Sequence, residues 1–246
     1  MDNSSEDTRI KDEMTPEEIA ECATTRATFI NFLNVHFVTL PDLAFTQKTR
    51  SDAFRATLES LIADEALAGD MSAGALLMLA FIDDNAGEED VEFSHMLGRD
   101  RTILYKGLTP KESPPTPCEA VWSKTRTNVT ELLTELVGIY RQAGMALAED
   151  ANERLDFVGV ELDFLRQLAL KEAEAWQAGE QDEAWELLRQ QADFFTVHMG
   201  DWIVAFIERA LSMARTDFYR GHLTMLRGFI TSEGEYFLAI LQGSQD

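Results

Sequence analysis

Apolar side chains recur at steps of three and four residues along most of this chain, the pattern of helices that bury one face. The longest unbroken series comprises Trp185, Leu188, Ala192, Phe195, Met199, Trp202 and Phe206. It predicts one continuous core helix of about six turns. No segment alternates with the two-residue period of a strand, and no internal repeat is evident. The pattern predicts an all-α helical bundle of about ten helices.

Short motifs predict where two of these helices begin. The segment Thr15–Glu18 reads Thr-Pro-Glu-Glu and has the arrangement of a capping box, in which threonine and glutamate bond to each other's backbone amides. This helix is expected to end before Pro41. The segment Thr116–Glu119 repeats the arrangement and predicts a second start, with Gly144 closing that helix.

Further helices are predicted at about residues 52–67, 72–82, 152–176 and 218–241 from the same periodicity. The segment 72–82 is nearly apolar on all sides, which predicts a deeply buried helix. The last segment is expected to form one or two helices, with a break near Ser232–Gly234.

Prolines at positions 110, 114, 115 and 117 interrupt regular structure. They predict a hinge at residues 107–117 between an N-terminal helical lobe, residues 15–106, and a C-terminal helical lobe, residues 118–246. The polar residues 1–14 are expected to form a disordered tail, since they contain too little apolar surface to order themselves.

Composition narrows the class of partner. The 246 residues have a formal net charge of −23, which repels nucleic acids and anionic lipid surfaces and favours cationic partners. No stretch reaches the roughly 18 apolar residues of a membrane span, and residues 1–14 lack the apolar core of a secretory signal. Cys22 and Cys118 form no metal-binding or disulfide pattern. A cytoplasmic location without stable membrane insertion is therefore expected.

Catalytic motifs are nearly absent. The chain contains no nucleophile elbow, phosphate loop or dinucleotide-binding fingerprint. Glu92 and His95 form one Glu-x-x-His pair, whereas di-iron helical bundles need two such pairs and two more glutamates. We therefore expect a protein that is not an enzyme and holds no metal or other cofactor. A metal-dependent or nucleotide-hydrolysing all-α enzyme that uses Glu92 and His95 is the alternative.

Two positions depart from the apolar pattern. His198 lies one turn before Trp202 and beside Asp201, so an imidazole, an indole and a carboxylate lie close together. The histidine is either a packing residue or part of a binding site. Glu161 falls inside an apolar series that begins at Phe157, where a carboxylate is costly unless it is paired. It is either satisfied by an arginine or lines a cleft for a cationic ligand.

Four segments resemble patterns of one protein family. Glu92–Leu97 is similar to its D-Y-T-R-L-F, and Pro114–Trp122 resembles its P-P-Y-E-S-V-Y. Leu155–Leu165 looks like P-D-H-x-x-x-E-L-E-F-M, and Phe195–Phe206 resembles F-x-x-H-L-x-P-W-x-x-x-F. In this order and at these intervals, the segments resemble the TorD-like family of redox-enzyme maturation chaperones.

The resemblance implies two packed helical lobes, as a monomer or a domain-swapped homodimer. It also implies binding of the twin-arginine signal peptide of a molybdenum-dependent oxidoreductase, which assists cofactor loading and delays export. Residues expected to bind this leader are Glu119, Trp122, Asp156, Phe157, Glu161, His198, Asp201 and Trp202. Carboxylates would meet the guanidinium groups, and aromatic side chains would meet the apolar region of the leader.

Simpler roles are open for several of these residues. Glu119 can serve as a capping residue, Trp122 and Trp202 can be core residues, and the carboxylates can be paired internally. The chain can also be an acidic adaptor that binds the folded client without reading its leader.

Overall fold

The computed structural model describes residues 15–67, 69–107, 111, 113–126, 128–145 and 154–243. This part of the chain contains eleven α-helices and no strand, which confirms the all-α prediction. The helices are α1 (Pro16–Val38), α2 (Leu43–Thr49), α3 (Asp52–Ala63), α4 (Asp70–Asp84), α5 (Asp90–Tyr105), α6 (Glu119–Trp122), α7 (Val129–Gln142), α8 (Val158–Ala178), α9 (Gln181–Phe194), α10 (Ile203–Leu211) and α11 (Asp217–Gly243). The predicted tail at residues 1–14 lies outside the described residues.

The first capping box is confirmed. The Thr15 amide donates to Glu18 Oε2 at 2.7 Å, and the Glu18 amide donates to Thr15 Oγ1 at 3.3 Å. The same backbone hydrogen bond lowers the pKa of Glu18, since it favours the ionised carboxylate. The motif therefore marks the start of α1.

The capping box predicted at Thr116–Glu119 is wrong. Cys118 is the N-cap of α6, and its side chain makes no capping bond. The Thr116 carbonyl instead accepts from the Trp122 indole Nε1 at 3.0 Å. α6 ends after four residues, and Asn128 caps a separate α7 by accepting from the Glu131 amide at 3.3 Å. Gly144 does close α7, in a left-handed conformation with φ +73°.

The deeply buried helix predicted at 72–82 is α4, and its burial is one-sided. Gly74, Ala75, Met78 and Ile82 are buried, whereas Leu76 is 56% exposed. The apolar side chains of α4 thus extend beyond the face that the described residues cover.

The predicted continuous core helix is interrupted. α9 ends at Phe194, Phe195–Met199 forms a π-helical turn, and α10 begins at Ile203. A π-helical turn contains more residues than an α-helical turn. The apolar stripe nevertheless continues through it, since Phe195, Met199 and Phe206 are all buried. The stripe was correctly predicted and the continuity of the helix was wrong.

The division predicted near Ser232–Gly234 is also wrong, since α11 continues to Gly243. A Cβ atom at Gly234 would lie 3.4 Å from Phe195 Cε1, an ordinary van der Waals distance. Gly234 therefore lies beside an aromatic ring within the helix and does not end it.

The backbone contacts divide the chain into two compact units. The first unit comprises residues 1–34, 124–201 and 232–246, and the second comprises residues 35–123 and 202–231. This partition differs from the predicted sequential lobes 15–106 and 118–246, because α1 and α11 each contribute residues to both units. The proposed hinge at 107–117 stays a prediction.

The first unit has a core formed by α8 and α9. Tyr140 on α7 and Phe194 on α9 flank Phe164, with ring centroids 4.7 and 4.6 Å from that of Phe164. At the other end of the pair, Trp176 and Trp185 meet edge to face at 5.5 Å. These aromatic contacts fix the position of α7 and α9, which together carry the candidate site.

The second unit contains a close helix crossing. A Cβ atom at Gly221 on α11 would lie 2.4 Å from the Gly74 carbonyl oxygen on α4. Only the absence of side chains lets the two backbones approach so closely. Further along α11, the Arg227 guanidinium pairs with Asp70 at 2.6 Å, which fixes the register of the crossing.

Candidate functional site

The predicted leader-binding residues are divided between the two units. Asp156, Phe157, Glu161, His198 and Asp201 belong to the first unit. The second unit contains Glu119, Trp122 and Trp202.

Asp156, Phe157 and Glu161 lie at the start of α8 and are buried. Asp156 accepts two hydrogen bonds from the Arg154 guanidinium, both at 2.8 Å, so this carboxylate is paired within the chain. Phe157 is the N-cap of α8, and Glu161 lies in its first turn, where the helix dipole favours a negative charge. Arg166 pairs with Asp163 at 2.8 Å. These side chains hold the start of the helix.

His198 lies in the π-helical turn and is 1% exposed. Its ring stacks on Phe194 at 4.9 Å, and its Nε2 lies 3.8 Å from Glu135 Oε1 on α7. The π turn thus aims the imidazole between α7 and α9. Asp201 is exposed two residues after this turn and accepts from the Thr125 hydroxyl at 3.1 Å.

Of the three predicted residues of the second unit, Glu119 and Trp202 are buried and Trp122 is half-buried. Glu119 is buried as the first residue of α6. Trp122 donates to the Thr116 carbonyl and meets Phe206 edge to face at 5.7 Å. Trp202 is fully buried, and its indole Nε1 has no acceptor among the described residues. As leader contacts these residues stay predictions.

A groove of about 410 Å³ lies within the first unit, between α7 and α9, and His198 borders it. Its apolar surface comes from Ile139, Phe164, Phe194 and the 43% exposed Val197. Three carboxylates, Glu135, Glu186 and Asp193, line the same groove.

The three carboxylates differ in how they are engaged. Glu135 pairs with Arg126 and faces His198. Glu186 makes long contacts of 3.3 Å with Arg189 and Gln190. Asp193 is exposed and has neither a hydrogen bond nor an ion pair within the described part of the chain. The groove therefore offers negative charge beside apolar surface, which suits a cationic group on an apolar segment.

Sequence reasoning missed these three carboxylates because each resembles an ordinary solvated helix residue. A signal was present, since Glu186 and Asp193 are seven residues apart and share one face of α9 with Gln190. Their proximity to Glu135 depends on how α7 packs, which the sequence does not state.

A buried ion network lies in the same unit. The Arg26 guanidinium lies 2.9 Å from Glu172 and 3.0 Å from Glu233, and it lies over the Tyr236 ring at 4.8 Å. Burial alone would lower the pKa of Arg26, but the attraction of the two carboxylates raises it above its ordinary value. Burial raises the pKa of Glu233 against the opposing effect of Arg26. This network stabilises the core and is closed by Gln191, which donates to Glu172 at 2.8 Å.

The Glu92–His95 pair has no metal-site geometry. Both side chains are at least half exposed, their closest nitrogen and oxygen are 3.7 Å apart, and Glu92 also pairs with Arg99. Among the described residues, no group of three or more His, Cys, Asp or Glu side chains could hold a metal ion. No helix in the same residues is long and apolar enough to cross a bilayer.

The helices and the groove define an all-helical protein with an acidic, aromatic-lined cleft in one of its units. The chain belongs to the nitrate reductase delta subunit family, whose model matches residues 65–208, more than half of its length. This assignment confirms the TorD-like resemblance.

Two curated relatives are similar to parts of the chain. The perchlorate reductase assembly chaperone protein of Dechloromonas aromatica (strain RCB) is 26% identical over 127 residues, 50% of this chain and 56% of the relative. The chaperone protein TorD of Vibrio cholerae is 27% identical over 101 residues, 41% of this chain and 43% of the relative. The chain thus spans about half the length of the curated relatives it matches.

Proposed function

We propose that the chain is a cytoplasmic, non-catalytic chaperone for a molybdenum-dependent oxidoreductase. It binds the twin-arginine signal peptide of this client, assists cofactor loading and delays export until the client is mature. The family assignment and the relatives' names, an assembly chaperone for a reductase and TorD, support the general role. The groove between α7 and α9, called the α7/α9 groove below, supports the more specific role of binding the signal peptide.

The observation that carries the proposal is the combination of charge and apolar surface in that groove. A twin-arginine leader presents two guanidinium groups next to an apolar region. Glu135, Glu186 and Asp193 can accept from the guanidinium groups, while Phe164 and Val197 can pack against the apolar region. His198 supports the groove by stacking on Phe194 and facing Glu135.

The expected affinity is modest. Each charge-assisted hydrogen bond contributes roughly 1.5 to 3 kcal/mol, and burial of a few hundred Å² adds several more at about 25 cal/mol/Å². Ordering of a flexible leader offsets much of this, which leaves on the order of −8 kcal/mol, a micromolar dissociation constant. Such binding is reversible, as a chaperone that releases its client requires.

The predicted buried residues are assigned supporting roles. Asp156, Phe157 and Glu161 lie buried at the start of α8 in the first unit, and Glu119 and Trp202 are buried in the second, where Trp122 is half-buried. Direct contact between the five buried side chains and a leader would require local opening, whereas the half-buried Trp122 is partly accessible. The exposed Asp201 is available to a leader without it.

Calorimetric titration with the client's leader and with its Lys-Lys version tests the proposal. We expect the Lys-Lys peptide to bind about tenfold more weakly, because lysine lacks the planar fork that pairs with a carboxylate. Glu135→Gln and Asp193→Asn should each weaken binding of the original leader several-fold. Glu174→Gln, an exposed change elsewhere on α8, should leave it unchanged. Equal binding of both peptides, or of neither, would rule out leader recognition.

Deletion of the leader from the client separates this function from that of an adaptor. A leader-reading chaperone should lose most of its affinity for the client when the leader is removed. Undiminished binding to the leaderless client would favour an adaptor that recognises the folded enzyme.

A further inference from the structure

A second pocket, of about 790 Å³, lies within the second unit. It is bordered by the chain after α1, by α5 and by Arg215 before α11. Leu40, His95, Arg99 and Arg215 line it with exposed side chains, and Leu40 is 65% exposed. The pocket is therefore an open groove with an apolar edge rather than an enclosed cavity.

The charge of this groove is opposite to that of the molecule. Arg99, Arg101 and Arg215 line it in a chain whose formal net charge is −23. Among the described residues that line it, Asp42 is the one carboxylate, and it caps α2 by accepting from the Phe45 amide at 2.8 Å. Arg99 also pairs with Glu92 at 2.9 Å, but both side chains are at least half exposed, and such surface pairs are weak. An anionic ligand would thus meet three guanidinium groups, one of them in an exposed ion pair, and one carboxylate that is already engaged.

Arg101 provides an independent indication of a ligand. It is 5% exposed, its Nη2 donates to the Phe37 carbonyl, and its Nε has no acceptor in the described part of the chain. The adjacent Asp100 does not neutralise it by an ion pair, because that carboxylate accepts from the Arg215 and Thr216 amides at the start of α11. A buried guanidinium with an unused donor is costly, and an anionic ligand in the groove would lower that cost.

We propose that this basic groove binds an acidic peptide segment of a protein partner, with an apolar side chain next to its carboxylates. The open shape favours an extended segment, since small-molecule sites enclose most of their ligand. The exposed Leu40 offers a contact for the apolar side chain. A twin-arginine leader is repelled here, so this site is additional to the α7/α9 groove and does not depend on the function proposed for it.

The test uses a labelled, end-blocked peptide that alternates aspartate and glutamate with leucine, and a matched peptide with asparagine and glutamine. Fluorescence anisotropy with the full chain measures both affinities. The acidic peptide should bind at least about tenfold more tightly than the amide peptide. Arg99→Gln and Arg215→Gln should each weaken it about threefold or more, and Leu40→Ser should weaken it as well. These three positions are exposed, so the variants should fold.

Arg209→Gln is the matched control, because Arg209 is an exposed cation of the same unit that does not line the groove. It should bind the acidic peptide as the original chain does. Equal binding of the acidic and amide peptides, no binding, or equal weakening by Arg209→Gln would overturn the proposal. Full displacement of the peptide by inorganic phosphate at constant ionic strength would also overturn it, since that result indicates a simple anion site. Unchanged leader binding by Arg215→Gln would show that the two grooves are separate.

Discussion

Arg26 lies 2.9 Å from Glu172 and 3.0 Å from Glu233, and at most 16% of any of these three side chains is exposed. Buried charges of this kind are tolerated because each compensates another. The network joins α1, α8 and α11 within the first unit. Its removal should therefore affect the stability of the core that positions the α7/α9 groove.

Arg26→Met should lower the free energy of unfolding by about 3 to 5 kcal/mol, because it leaves two buried carboxylates without their cation. The loss should be smaller at acidic pH, since Glu233, whose pKa burial already raises, can then take up a proton. Urea unfolding at two pH values measures both effects. Arg189→Met, at an exposed pair with Glu186, should cost at most about 1 kcal/mol. Equal losses for both variants would contradict the account of the network.

His36 gives the second unit a pH dependence. Burial lowers the pKa of His36 well below its ordinary value of 6.5, and the neighbouring His222 and Lys48 lower it further. His36 stays neutral in the folded chain, whereas in the unfolded chain it takes up a proton below about pH 6.5. The folded state therefore has its full stability above this pH. That stability is lost as the pH falls below this value, because the unfolded chain then binds the additional proton.

Below pH 6.5, His36→Phe should reduce the slope of the free energy of unfolding against pH by up to about 1.4 kcal/mol per pH unit. This is the slope that the uptake of one proton produces. The slope is the measured quantity, since the larger ring also changes packing against Phe45 and Phe218. Phe54→Leu alters the same cluster without removing a titrating group and should keep the original slope. An unchanged slope in His36→Phe would contradict a neutral buried histidine.

Helix ends that are marked by a short motif, such as a capping box or a terminal glycine, were predicted correctly. The start of α1 follows from Thr15 and Glu18 alone, and the end of α7 follows from Gly144. The π-helical turn and the short α6 could not be predicted in this way. Both keep the apolar periodicity of a continuous helix, so the periodicity alone does not reveal that the helix is interrupted there.

The candidate site was predicted only in part, for a related reason. His198 was singled out because it lies one turn before Trp202, with Asp201 beside that tryptophan, and it does border the groove. Glu135, Glu186 and Asp193 were missed because acidic residues on an exposed helix face are common in this chain. Their proximity depends on the packing of α7 against α9, which brings together residues more than 40 positions apart in the sequence.

The crossing of α4 and α11 gives a prediction for these helices. Gly221→Ala should destabilise the second unit by roughly 1 to 3 kcal/mol, because the new methyl group would overlap the Gly74 carbonyl at 2.4 Å and Met78 Cγ at 2.7 Å. Gly138→Ala on α7 is the control, since no atom lies within 4 Å of its Cβ position. The control should stabilise its helix by up to about 1 kcal/mol. Thermal unfolding that ranks the two variants in the opposite order would contradict the close approach.

Across the whole molecule, the two proposed binding surfaces differ in the sign of their charge. The net charge of −23 favours cationic segments, and three carboxylates line the α7/α9 groove, whereas three arginines line the groove beside Leu40 and Arg215. A chaperone that binds both a cationic leader and an acidic segment could hold two regions of one client. Each groove is lined by residues of a single unit.

The central claim is tested most directly by a double-mutant cycle between the leader and the α7/α9 groove. The cycle combines an arginine-to-glutamine change in the leader with Asp193→Asn in the chain, and calorimetry measures all four affinities. Direct contact predicts that the double change costs about 0.5 to 3 kcal/mol less than the sum of the single changes. Additive losses would show that the leader arginines bind elsewhere and would contradict the assignment of this groove.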